Sequence, residues 1–138
     1  MQVLNFKSGL FGLSGNISSD MRDIEEAYES GNEAAIRAFD TYIYSIVKYI
    51  GSYLAVLGGA DAITFTAGIG ENSPFVRKHV CSYLEGLGVR LDAEANEKGR
   101  GARCISADGS AIKVYTIPTD EEMSIALSTV EVVNRHNV

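Results

Sequence analysis

Ile63-Thr64-Phe65-Thr66 is an apolar run of strand-forming residues. It leads into Ala67-Gly68-Ile69-Gly70-Glu71-Asn72, and Ser73-Pro74 then reads as a helix start. Strand, glycine loop and helix in that order make a phosphate-binding turn. Glycine lets the backbone approach an anion, and the first N–H groups of the next helix point at it. The segment is not a Walker A loop, because no Gly-Lys-Ser/Thr follows. It is not the dinucleotide G-x-G-x-x-G, because Ser73 stands at the third glycine position. Without a lysine, such a loop would hold phosphate with backbone N–H groups and short side chains such as Asn72. The same spacing also serves a plain tight turn between a buried strand and its helix.

Two other segments could do chemistry. In Thr119-Asp120-Glu121-Glu122, Thr119 and Glu122 fit a capping box, which leaves Asp120 and Glu121 unassigned. A carboxylate at the end of a strand suits Mg²⁺, which takes one or two protein carboxylates plus phosphate oxygens. It also suits a helix N-terminus with no ligand at all. Ser18-Ser19-Asp20-Met21-Arg22-Asp23 could hold a ribose or a base edge, or could be a helix cap with an Arg-Asp surface pair. His79 and His136 are isolated from each other and from cysteine, and no serine has a nucleophile-elbow context.

The bulk properties bound what these residues can serve. A chain of 138 residues with 46% hydrophobic and 22% charged residues can build one globular core. Net charge is -6 and the pI about 4.8, which argues against general nucleic-acid binding but leaves room for one small phosphate site. Lys48, Gly51 and Asp61 interrupt the apolar stretches before they reach membrane-spanning length. Cys81 and Cys104 have no metal-type spacing and read as small buried residues in a reducing, cytoplasmic setting.

The elements that must position the three segments follow from caps and periodicity. The stretch from Gln2 to Gly9 shows no clear opening element, and residues 8–20 read as a Gly/Ser-rich loop. Asp20 can cap a helix to about Ser30, and Asn32 a long helix to about Leu57. In the long helix, Ala35, Phe39, Tyr42, Ile46, Tyr49, Tyr53 and Leu57 recur every three to four residues, which predicts one buried face. The stretch 60–66 reads as a strand covered on both faces. The helix after Ser73 carries Val76, Val80, Leu84 and Leu87 on one side. A short helix is expected within 92–101, and short strands within 103–106 and 111–117. A last helix would bury Met123, Ala126, Leu127, Val130 and Val133. So few strands would leave a sheet edge or face uncovered.

Taken together and in order, the segments resemble the C-terminal part of the acetate kinase family. The matching residues are Lys7-Ser8-Gly9-Leu10, Gly12-Leu13-Ser14-Gly15, Ser18 to Ile24, Phe65 to Ser73 and Ile117 to Glu122. The resemblance implies an α/β, partial ribonuclease H-like domain of the actin-like ATPase superfamily, with a few strands flanked by helices. It implies Asp20, Met21 and Arg22 at the adenosine, Gly68, Ile69 and Asn72 at the nucleotide with Gly70 and Glu71 beside them, and Glu121 at Mg²⁺ or Mn²⁺. The family transfers the ATP γ-phosphoryl group to acetate, giving acetyl phosphate and ADP, and works as a homodimer. Propionate kinase is the near alternative, and a nucleotide-binding module without catalysis is another. The family's catalytic aspartate, arginines and histidines match nothing here, and the first strands of the domain are missing. Residues 1–138 are therefore expected to form one incomplete, C-terminal domain, inactive alone and prone to self-association.

Overall fold

Capping side chains start the helices that carry the core. The computed structural model describes residues 2, 3 and 7–136, without the side chain of His136, so part of the opening stretch and that histidine's surroundings lie outside the described residues. A short helix, α1 (Gly9–Leu13), forms where a loop is expected. It brings Gly12 so near the Lys7 carbonyl that a Cβ there would sit 2.5 Å from its oxygen, an approach open only to glycine. Helix α2 (Met21–Glu29) starts at Asp20, whose side chain accepts the Arg22 N–H. Helix α3 (Glu33–Leu57) starts at Asn32, which accepts from Ala34 and Ala35, and ends at left-handed Gly58.

Strand β1 (Ala62–Phe65) leads to a short helix α4 (Ala67–Asn72) and then α5 (Pro74–Tyr83). A 3₁₀ turn (Glu85–Leu87) ends at Gly88, and α6 (Ala93–Glu97) follows. Strands β2 (Arg103–Cys104) and β3 (Lys113–Thr116) precede helix α7 (Glu121–His136). The sheet has three strands in the order β1-β3-β2. β1 runs parallel to β3, from Ala62 opposite Lys113 to Phe65 opposite Thr116, and β2 is antiparallel to β3.

The core joins the first half of α3 to α2, α5 and β3. Ile24, Phe39, Ile43, Val76, Val80, Leu84, Ile105 and Val114 are all buried. Phe39 lies at the centre, 5.0 Å from the rings of Tyr28, Phe75 and His79, which gives the isolated histidine a packing role.

Four expectations change. In β1, Ala62 and Thr64 are exposed, so this edge strand is covered on one face only. The buried face of α3 stops midway, and Tyr49, Tyr53 and Leu57 are exposed. The spacing of α7 is helical, but Met123, Leu127, Val130 and Val133 are exposed too. The periodicity that makes each helix amphipathic is present, yet nothing among the described residues covers those stretches. Cys81 is buried and free as expected, with its thiol pushed up to about 11 by burial, whereas Cys104 is exposed.

The packing separates two magnitudes. Phe39→Ala is expected to cost about 3–5 kcal/mol, because it empties the aromatic centre. Asn32→Ala is expected to cost about 1 kcal/mol, because it removes only a cap. Urea unfolding of both variants checks the ratio; similar losses would mean that Phe39 does not organise the core.

Candidate functional site at the ends of the parallel strands

β1 and β3 run the same way, so the chain leaves both at the same edge of the sheet. The Ile117 N–H continues the pairing to the Phe65 carbonyl at 3.0 Å. Beyond it the two exits are tied together. Ala67 N–H donates to Thr119 Oγ1 at 3.0 Å across 52 residues of sequence, and the hydroxyls of Thr66 and Thr119 lie 2.6 Å apart. Thr119 N–H in turn donates to the Glu71 carboxylate at 2.8 Å. Ala67 sits in the left-handed region with φ 59, a costly place for a residue with a Cβ. These bonds hold it there.

Residues 67–72 form helix α4, not an open glycine loop. Ser73 N–H donates to Ile69 O at 2.9 Å, and the Asn72 side-chain amide donates to Gly68 O at 2.8 Å. Tertiary bonds at both ends outweigh the poor helix propensity of its glycines. The Thr119–Glu122 capping box is likewise not formed. Thr119 is taken up by Thr66 and Ala67, and Asp120 Oδ1 caps α7 through the Met123 N–H at 3.0 Å. Asp120 is thus explained as a cap, and Glu122 is not.

The third segment meets the same place from the other side. Ser73 Oγ accepts the Val76 N–H and donates to Glu25 of α2 at 2.5 Å. This bond fixes the start of α2 beside α4. Arg22 folds its guanidinium back onto Asp20, with Nη2 2.6 Å from Oδ2 and Nε 3.1 Å from Oδ1. Arg22 holds the Asp20 carboxyl down at about 2. Met21 between them in sequence is buried.

Two depressions result, and they share Gly68. One, of about 380 Å³, is lined by Asp20, Met21, Arg22, Glu25, Gly68, Ile69, Asn72 and Ser73. The other, of about 410 Å³, is lined by Ala67, Gly68, Glu71 and Thr119 to Glu122. Of the residues singled out in these three segments, Ser18, Ser19, Asp23 and Gly70 line neither. A Cβ on Gly70 would come 3.2 Å from the Phe65 carbonyl carbon, so its bareness serves packing. A Cβ on Gly68 would meet nothing within 4 Å. The fold does not need that glycine to be bare.

The second depression is acidic. Glu71 and Asp120 already accept backbone N–H groups, which leaves Glu121 and Glu122 without hydrogen bonds or ion pairs among the described residues. No group of three or more His, Cys, Asp or Glu able to hold a metal occurs among the described residues. Glu121 and Glu122 are thus the carboxylates of this depression that the chain's own described groups do not engage.

Sequence reasoning missed Arg77. It is buried on α5, with Nη1 2.9 Å from both Gly70 O and Glu71 O, Nε 2.7 Å from Asn96 Oδ1, and Nη2 2.6 Å from Asn96 O. The available signal was its place on the apolar stripe, four residues before Cys81 and seven before Leu84.

The Acetokinase family model matches residues 1–127. The chain belongs to the acetokinase family. It is 54% identical over 135 residues to the acetate kinase of Thermotoga petrophila, covering 96% of this chain and 34% of that one. It is 53% identical over 131 residues to that of Pseudothermotoga lettingae, covering 95% and 32%. Among solved structures, Porphyromonas gingivalis acetate kinase superposes with a TM-score of 0.84 at 44% identity, over 96% of this chain and 33% of that one. The acetate kinase of Entamoeba histolytica gives 0.87 at 37% identity, over 94% and 35%. The chain thus spans about a third of the length of these relatives. Its α/β architecture is that part of the actin-like ATPase fold of the acetate kinases.

The Asp20–Arg22 pair sets a pH dependence. Its carboxyl is lowered, so the contribution to the α2 cap is full above its ordinary range near 3.8 and is lost as pH falls through about 2. In an NMR titration, Asp20 is expected to show a midpoint of about 2, moving up towards 3.8 in Arg22→Ala. The return is incomplete there, because the N–H of residue 22 still donates to it. An unchanged midpoint would mean that the guanidinium does not hold the carboxylate.

Proposed function

We propose that this chain supplies the nucleotide pocket of an acyl kinase that moves the γ-phosphoryl group of ATP to acetate, giving ADP and acetyl phosphate. One observation carries the reading. Three segments far apart in sequence converge on Gly68, the glycine whose missing side chain the fold does not require. A ligand that approaches the backbone would require it. In this reading Asp20, Met21 and Arg22 flank the adenosine. Gly68, Ile69 and Asn72 lie along the nucleotide, with Gly70 and Glu71 holding their shape. Similarity to a propionate kinase from Francisella tularensis (TM-score 0.82, 33% identity, 91% of this chain and 31% of that one) supports a short carboxylate as the acceptor class.

Electrostatics adds a condition. Glu71, Asp120, Glu121 and Glu122 line the second depression, and among the described residues no lysine or arginine does. A bare polyphosphate would meet like charge there, at about 1 kcal/mol for each pair of charges 4 Å apart even in bulk water. Mg²⁺ held through Glu121 would neutralise phosphate oxygens and the wall together. Glu121 is the better choice than Asp120, whose carboxylate is committed to the α7 cap. The cations that clamp the transferring group lie elsewhere in such an enzyme, so the 138-residue chain alone is expected to bind without turnover. A cytoplasmic setting follows from this role, and among the described residues no helix is long and apolar enough to cross a membrane.

Titration with a fluorescent ADP analogue tests the reading. Binding is expected with Mg²⁺ and to weaken at least ~10-fold, about 1.4 kcal/mol, when the metal is chelated. Gly68→Val is expected to abolish it while changing thermal unfolding little, since a Cβ at that position meets no neighbouring heavy atom within 4 Å. Equal binding by Gly68→Val would refute the site.

The uncovered faces carry a further expectation. Tyr49, Tyr53, Val56 and Leu57 on α3, and Ile125, Val132 and Val133 on α7, are exposed. Faces of this size are covered in assembled proteins. Sedimentation of the chain should therefore give a mass that rises with concentration; a monomer throughout would remove the argument.

A further inference from the structure

Arg77 lines neither depression around Gly68, yet it grips the helix that lines both. It is 1% exposed, and no carboxylate forms an ion pair with it among the described residues. Burial, and then the neighbouring Arg103, disfavour its charge. An apolar side chain of similar volume would fill this space without burying a cation. What only a guanidinium supplies is a planar fork of donors. One arm collects the carbonyls of Gly70 and Glu71, the end of α4 that a helix leaves unpaired and where a cation is favoured. The other arm is locked on Asn96, whose own amide donates to Pro74 O at 3.0 Å.

Helix α4 spans Ala67–Asn72, far too short to hold its shape alone. Its start is held by Thr119 and its end by Arg77. We propose that Arg77, locked by Asn96, is a positioning residue that sets Gly68, Ile69 and Asn72 for nucleotide through the C-terminal carbonyls of α4. This rests on the nucleotide-site reading above. Arg77 touches no ligand in it, and acts on affinity through the backbone alone.

The test uses Arg77→Met, Arg77→Lys and Asn96→Ala in the 138-residue chain. Each is measured for affinity to the fluorescent ADP analogue with Mg²⁺ and for amide exchange at Ser73, whose N–H closes α4 onto Ile69. Arg77→Met is expected to weaken binding 10- to 100-fold and to speed Ser73 exchange by a like factor, while core amides of α3 keep their protection. Arg77→Lys, which keeps the charge without the fork, should recover only part. Asn96→Ala should show the same pairing of effects, and it decides the matter if Arg77→Met fails to fold. Folded variants with unchanged Ser73 exchange overturn the inference whether or not nucleotide binds. Faster exchange with affinity within twofold of the parent overturns it too. A parent chain that binds no nucleotide overturns the functional reading itself and with it this role for Arg77. Ser73 exchange would then report only whether the grip on α4 is real.

Discussion

The parallel pairing of β1 with β3 is the constraint from which the site follows. Phe65 stands opposite Thr116, so the residues after each strand leave the sheet side by side. Everything between them must cross over before the chain can return in the same direction, and α4, α5, α6 and β2 make up that crossing. A slip of one residue in this register would turn Phe65 out of the core and Thr119 away from Ala67. Burial of Phe65 and Val114 therefore sets, at one remove, the place of Gly68. Ligands of open α/β sheets gather at this edge for the same reason: it is where loops from separate strands meet.

The third segment arrives by a different kind of force. α2 has no strand to align it. It is carried on α3 by packing, through Ile24, Tyr28 and Phe39, and such packing is non-directional. The direction comes from the Ser73 hydroxyl, which caps α5 by accepting the Val76 N–H and donates a hydrogen bond to the Glu25 carboxylate. One small side chain thus fixes a helix start and the distance from α2 to α4. An apolar contact here would leave α2 free to slide.

How much of this the sequence reveals depends on how local each cause is. Asp20, Asn32 and Ser73 act within three residues of themselves, so the helices they start are legible from residue type. The resemblance to acetate kinases, read from five short segments, extends to the fold. What was illegible has distant causes. Thr119 looks like a cap until Ala67, 52 residues away, takes its hydroxyl. The glycine segment looks like a loop until Arg77 satisfies its carbonyls. β1 looks buried on both sides because its side chains suit burial, and periodicity cannot say whether this chain provides the cover.

Gly68 and Gly70 show why the same residue type two positions apart carries different meaning. Gly70 is pressed against the backbone of Phe65, so its role is complete within the chain's own packing. Gly68 faces open space, has no positive φ, and sits inside a helix where alanine would be favoured by almost 1 kcal/mol. By every rule of folding alone it is the wrong residue. Ala67 before it is also unfavourable, since its left-handed backbone would suit glycine better. Two neighbouring positions thus each carry the residue that stability would assign to the other. Backbone strain at Ala67 and a bare Gly68 thus coincide at the mouth of two depressions, and the packing of the chain accounts for neither. The Thr66–Thr119 pair and the Glu71 carboxylate hold that shape against relaxation. They tie the segment that carries Glu121 to the helix that carries Gly68, which a ligand touching both would need.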